Sequence, residues 1–127
     1  MKVTSKINKT NVKKLDSIMQ KCLVKSVDAM KMDVIDSQII PFKTGEMQNK
    51  NTFVDDSKAK RGVVLIKTNA IYARRLYFHP EFNFRKHKNP NAQGKWFEIY
   101  ITGNKKMFVK VTFARFLKRE LMKYAAK

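Results

Sequence analysis

Few residues of this 127-residue chain have the types and spacing that chemistry needs. His79 and His87 stand eight apart in a polar stretch, and Cys22 is the single thiol. A zinc ion wants about four ligands at tighter, recurring spacing, so no metal site is expected. Asp55 and Asp56 adjoin lysines at the end of a strand-like run, where a solvated turn explains them better than general acid–base work. The serines at 5, 17, 26, 37 and 57 lack any neighbourhood that would activate a hydroxyl. No phosphate-binding loop, dinucleotide fingerprint or nucleophile elbow occurs. The expectation is a protein without catalysis and without a cofactor.

Charge carries more information. Lys and Arg number 28 against 10 Asp and Glu, a net +18. Such a chain seeks polyanions or acidic protein surfaces, and holds them less well as salt rises. The candidate contacts are Lys58, Lys60 and Arg61, then Arg74 and Arg75, then Arg85, Lys86 and Lys88. Tyr72, Tyr77, Phe78, Phe82, Phe84 and Trp96 interleave with the later ones, a mixture suited to base stacking and phosphate contact. The same tyrosines and tryptophan suit a core equally well. No helix-turn-helix, RNA-recognition or zinc-finger signature accompanies them. A small basic nucleic-acid-binding protein therefore stands as the alternative reading of the charge.

The elements that would position these groups read as one α+β domain spanning 1–127. Residues 1–9 are basic and aperiodic, as in a flexible arm. Thr10 or Asn11 is the expected cap of a helix running to about Gln38. Its apolar stripe is Val12, Leu15, Met19, Cys22, Leu23, Val27, Met30 and Val34. Cys22, inside the stripe, reads as a small core hydrophobe. Pro41 stops the helix and Gly45 suits a tight turn after it, with Thr44 between them. Residues 51–55 and 62–68 then form a hairpin of strands. Val63-Val64-Leu65-Ile66 is apolar at every position, which predicts cover on both faces. Asn69 is the expected cap of a short helix bearing Tyr72, Ala73, Leu76 and Tyr77 on one face.

Residues 79–95 form a long basic loop, a kind of segment that is often functional or ordered by a partner. Trp96–Thr102 favours strand by propensity, a preference that tertiary context often overrides, so strand and helix both stay open. A helical stripe of Val109, Phe113, Phe116, Leu117, Leu121 and Tyr124 closes the chain. No apolar run reaches the roughly 18 residues of a membrane span, so no membrane partner is expected. The lone cysteine and the absence of a secretory pattern at the start point to a reducing cytoplasm.

Three short motifs occur in order: Ile40-Pro41-Phe42-Lys43-Thr44-Gly45-Glu46-Met47, Ile71-Tyr72-Ala73, and Gly94-Lys95-Trp96-Phe97. Together they resemble the minor capsid, or head–tail joining, proteins of long-tailed phages and prophages, over about residues 10–124. Met47 stands where that family usually has leucine, and Asn49 and Asn51 lie near its usual serine. The resemblance implies a tail-completion (neck) protein, a viral structural protein without enzymatic activity or cofactor. It would dock as a ring between the head connector or stopper and the tail terminator or tube. Its partners would be those neck and tail proteins, with contact to passing DNA. It would sit at the head–tail interface of the virion, after assembly in the host cytoplasm.

A ring of six copies would concentrate six times +18 in one particle, which opposes assembly of the free protein. The isolated chain should therefore scatter light as a monomer at low salt. A stable hexamer under those conditions would refute this.

Overall fold

The computed structural model describes residues 9–41, 46–84 and 86–126. The element order is α1 (Lys9–Asp36), α2 (Glu46–Asn49), β1 (Thr52–Asp55), a 3-10 turn (Ala59–Arg61), β2 (Leu65–Thr68), α3 (Ala73–Tyr77), α4 (Glu98–Ile101) and α5 (Phe108–Ala125). The class is α+β, two long helices with a two-stranded antiparallel sheet and short helices between them.

α1 divides into two unlike halves. From Cys22 on, its apolar stripe is buried: Cys22 and Val34 are sealed, with Val27 and Met30 nearly so. Towards the N-terminus Val12, Leu15 and Met19 belong to the same stripe yet lie exposed. The reason is what lies opposite. The sheet and the core segments cover the C-terminal half, whereas the N-terminal half meets chiefly α5. The two helices run antiparallel, Asn11 meeting Tyr124 at one end and Asp33 meeting Lys105 at the other. Asn11 is thus not a cap among the described residues. It lies inside the helix and accepts the Tyr124 hydroxyl at 2.7 Å.

Nor does Pro41 end α1. The helix stops at Asp36, where Gln38 takes a left-handed φ of 56° and its N–H bonds the Ile35 carbonyl at 3.1 Å. That reversal turns Ile39 and Ile40 into the core, with half-buried Pro41 behind them. Thr44 and Gly45, expected in the turn, lie outside the described residues, as do residues 1–8 of the expected arm.

The hairpin pairs Thr52 with Thr68 and Val54 with Ile66 on its inner face. Its strands are shorter than the expected 51–55 and 62–68. Gly62, at φ 77°, closes the 3-10 turn, and Val63 bonds back to Lys58, so the turn absorbs residues 58–64. The expected cover on both faces is absent: Leu65 is 40% exposed and Val63 42%. Asn69 does not cap α3. Its N–H bonds the Asn51 carbonyl at 2.8 Å, extending the sheet, and Tyr72 holds the cap position. Tyr72 is also exposed rather than on the buried face with Ala73.

One core cluster joins Met30 and Val34 of α1 to Ile39, Ile40, Ala73, Trp96 and Tyr100. Trp96 and Tyr100 are four apart, so a helical turn brings both to the same side, which decides Glu98–Ile101 for helix over strand propensity. The described residues of 79–95 form no helix or strand but are pinned rather than loose. Asn89, 3% exposed, donates to the Ile40 carbonyl at 2.7 Å and to Gln48 Oε1 at 2.6 Å. Gln93 N–H bonds the Ile39 carbonyl at 3.0 Å. Gly94 comes so close to the preceding chain that a Cβ would stand 2.7 Å from Pro80 Cα and 3.1 Å from the Leu76 carbonyl oxygen.

Two substitutions test this backbone account in urea titrations. Gly94→Ala must push main chain apart and should cost about 2–3 kcal/mol. Gln38→Gly relieves the left-handed residue and should stabilise by about 0.5–1 kcal/mol. An unchanged midpoint for Gly94→Ala would contradict the close approach.

Candidate interaction surface

The expected contact residues fall into separate groups. Lys58, Lys60 and Arg61 sit exposed on the hairpin's turn, whose Ala59 and Gly62 help line an apolar hollow of about 260 Å³ with Met19, Leu23 and Phe113. The hairpin tip thus leans on the middle of α1 beside α5. Arg74 and Arg75 are exposed on α3. With Ile71, Phe78 and His79 they surround an open hollow of about 510 Å³. Arg75 also lies over the Phe82 ring at 5.7 Å, and His79 stacks on that ring at 4.7 Å while pairing with Glu81 at 2.7 Å. Lys86 and Lys88 are exposed on the pinned segment, and Arg85 lies outside the described residues. The hollow at the hairpin turn is lined by none of the α3 group, and the hollow at α3 by none of the hairpin group.

A further basic site lies outside the expected contacts. Between the N-terminal half of α1 and the end of α5 lies a cleft of about 880 Å³ lined by Lys14, Lys21, Lys123, Tyr124 and Glu120. Glu120 lies 3.6 Å from both Lys25 and Lys123. Burial pushes its carboxyl up, but the Lys123 and Lys25 charges outweigh this and hold it below the usual range. Glu120 is the one acid in α5, a signal visible in the sequence as a lone carboxylate in a basic helix.

At the opposite end of α1, Asp33 accepts from the Tyr100 hydroxyl at 2.5 Å and from Lys105 Nζ at 2.6 Å. Lys105 also donates to Ser37 Oγ at 3.0 Å and lies over the Tyr100 ring. Burial raises the Asp33 carboxyl, yet the bonds from Lys105 and Tyr100 prevail and leave it lowered. Burial, reinforced by Asp33, keeps the Tyr100 phenol protonated well beyond the ordinary tyrosine range. This is a structural clasp, since all its members point at one another.

Cys22 is fully buried, as a core hydrophobe should be, and burial pushes its thiol up. Asp55 is held far down by the Lys67 ammonium and the Ser57 N–H at the strand end. Among the described residues no three His, Cys, Asp or Glu gather as metal ligands, and no helix is long and apolar enough to cross a membrane. At α3, basic Arg74 and Arg75 lie beside the uncovered apolar side chains of Ile71 and Phe78. No protein-family model matches the chain, and no curated protein or solved structure matches it.

Asp33→Asn should cost about 1–2 kcal/mol at neutral pH, because two charge-assisted bonds lose their charge. A lowered carboxyl stabilises above its unfolded pKa of about 3.9 and loses that contribution as pH falls through the lower folded value. The gap between wild type and variant should accordingly close on acidification below about pH 4. A pH-independent gap in denaturation midpoints would rule out the charge as its source.

Proposed function

We propose that this chain is a structural component of a phage head–tail interface, a tail-completion or neck protein seated in a ring between connector and tail tube. The observation that carries the reading is where its three motifs meet. Ile40 of the first motif, Ala73 of the second and Trp96 of the third pack in one core cluster. Residues far apart in sequence thus resemble the family in order and also build the same few contacts.

Exposed apolar side chains support an assembling role. Fourteen large apolar side chains are exposed among the described residues, including Ile71 and Phe78 on α3 and Val63 and Leu65 on the hairpin. Uncovered apolar surface in a strongly charged chain suits a module that neighbours complete. The net +18 favours acidic neighbours.

Nucleic-acid binding is the second reading, favoured by Arg74 and Arg75 beside Phe78 and His79 around one hollow. Antibodies against the chain, used on virions from a lysate of its source, separate the two. Gold label should collect at the joint between head and tail. Label elsewhere on the particle, or none, would overturn the neck assignment. Micromolar binding to nonspecific duplex DNA with a steep salt slope would favour the alternative.

A further inference from the structure

A cleft of about 400 Å³ opens between the end of β2, α3 and the Trp96-Phe97 pair. Its size suits one or two side chains of a bound segment, near the lower end of ordinary ligand sites. Ala70, Tyr77, Phe78 and Phe97 give it apolar walls, and Thr68, Asn69 and Arg74 supply polar ones. None of its lining residues is acidic. Arg74 is exposed, and none of the five ion pairs among the described residues includes it.

Trp96 also lines this cleft, 1% exposed, and among the described residues its buried indole N–H has no acceptor. A buried donor left unpaired is costly, and such groups are uncommon enough to need a reason. The Trp96 ring is flanked edge-on by Tyr77 at 4.9 Å and by Phe97 at 6.2 Å, both only half-buried.

We propose that the cleft binds a peptide segment of a partner chain in which an apolar side chain stands beside a carboxylate. The side chain enters against Phe78 and Tyr77, and Arg74 holds the carboxylate. The half-buried rings of Tyr77 and Phe97 give way so that a carbonyl oxygen of the segment accepts the Trp96 N–H. Charge complementarity selects this occupant: the cleft has a guanidinium at its rim, no acid in its walls, and a +18 chain around it. The site is defined by its own residues, so it stands or falls separately from the neck assignment.

Trp96 is the only tryptophan, so one indole cross-peak in a ¹H–¹⁵N spectrum reports the site. The probe is N-acetyl-phenylalanine, titrated to about 10 mM to cover millimolar affinity. The indole peak should shift downfield and saturate. The uncharged amide of the same compound should bind about tenfold more weakly, through loss of the charge-assisted pair. Arg74→Gln should abolish that preference, and Phe78→Ala should weaken acid and amide alike, both at exposed positions where the melting temperature should hold. No shift by 10 mM, equal affinity for acid and amide, or indifference to both substitutions would overturn the proposal. So would a short thymidine oligonucleotide that moves the indole peak at lower concentration than the peptide probe, which would assign the cleft to nucleic acid.

Discussion

Everything in this fold leans on a core built at one end of a long helix. Trp96 packs beneath Ile39, Ile40 and Val34, and the chain can deliver it there only because residue 94 has no side chain. Gly94 lies against the backbone of Pro80, which lets residues 79–95 fold back over the end of α1. Lys95 then takes a φ of 47° and bonds the Tyr77 carbonyl at 2.8 Å, fixing the direction from which the indole enters. Asn89 and Gln93 satisfy the Ile40 and Ile39 carbonyls that would otherwise be buried without donors. Thus a stretch whose described residues form no helix or strand acts as a sheet edge would, closing the core and supplying its missing donors.

The two ends of α1 are held by different physics. At the C-terminal end, apolar burial is joined by the Asp33–Tyr100–Lys105 clasp, where a half-buried carboxylate gains two charge-assisted donors. At the N-terminal end, α5 contributes no fully buried residue, and Val12, Leu15 and Met19 remain open to solvent. The contacts there are the Asn11–Tyr124 bond, Lys14 over the Tyr124 ring, and lysines around Glu120. Exposed ion pairs of that kind contribute little to stability. Local opening should begin at this end, since opening free energy follows buried contact.

How legible this was depended on the range of the interaction. Helical periodicity located α1 and α5, and β-branched runs located the hairpin, because these patterns are local. What failed was set across the chain. The stripe of α1 is continuous in sequence, but which half is covered depends on elements tens of residues away. Val63-Val64-Leu65-Ile66 is uniformly apolar, yet Val63 and Leu65 lie exposed, because no second layer among the described residues covers that face of the sheet. Gln38 gave no sign of a left-handed conformation, since glutamine has no special tolerance for it. The basic candidates were all visible as charge, but their separation into hairpin and α3 groups was not. The cleft at Trp96 was hidden for the same reason: an aromatic in the sequence looks like core whether or not its N–H finds a partner.

The arrangement links the position of the core to the position of the exposed surface. A small sheet with one free face and a core drawn to one end leave apolar groups on α3, the hairpin and the α1/α5 end at once. These patches lie on different elements, so one flat partner would not cover them all. A net charge of +18 adds repulsion between identical copies, which weakens as salt rises. Incomplete burial and charge thus act in opposite directions on self-association: exposed apolar groups favour contact between copies, and the shared positive charge opposes it.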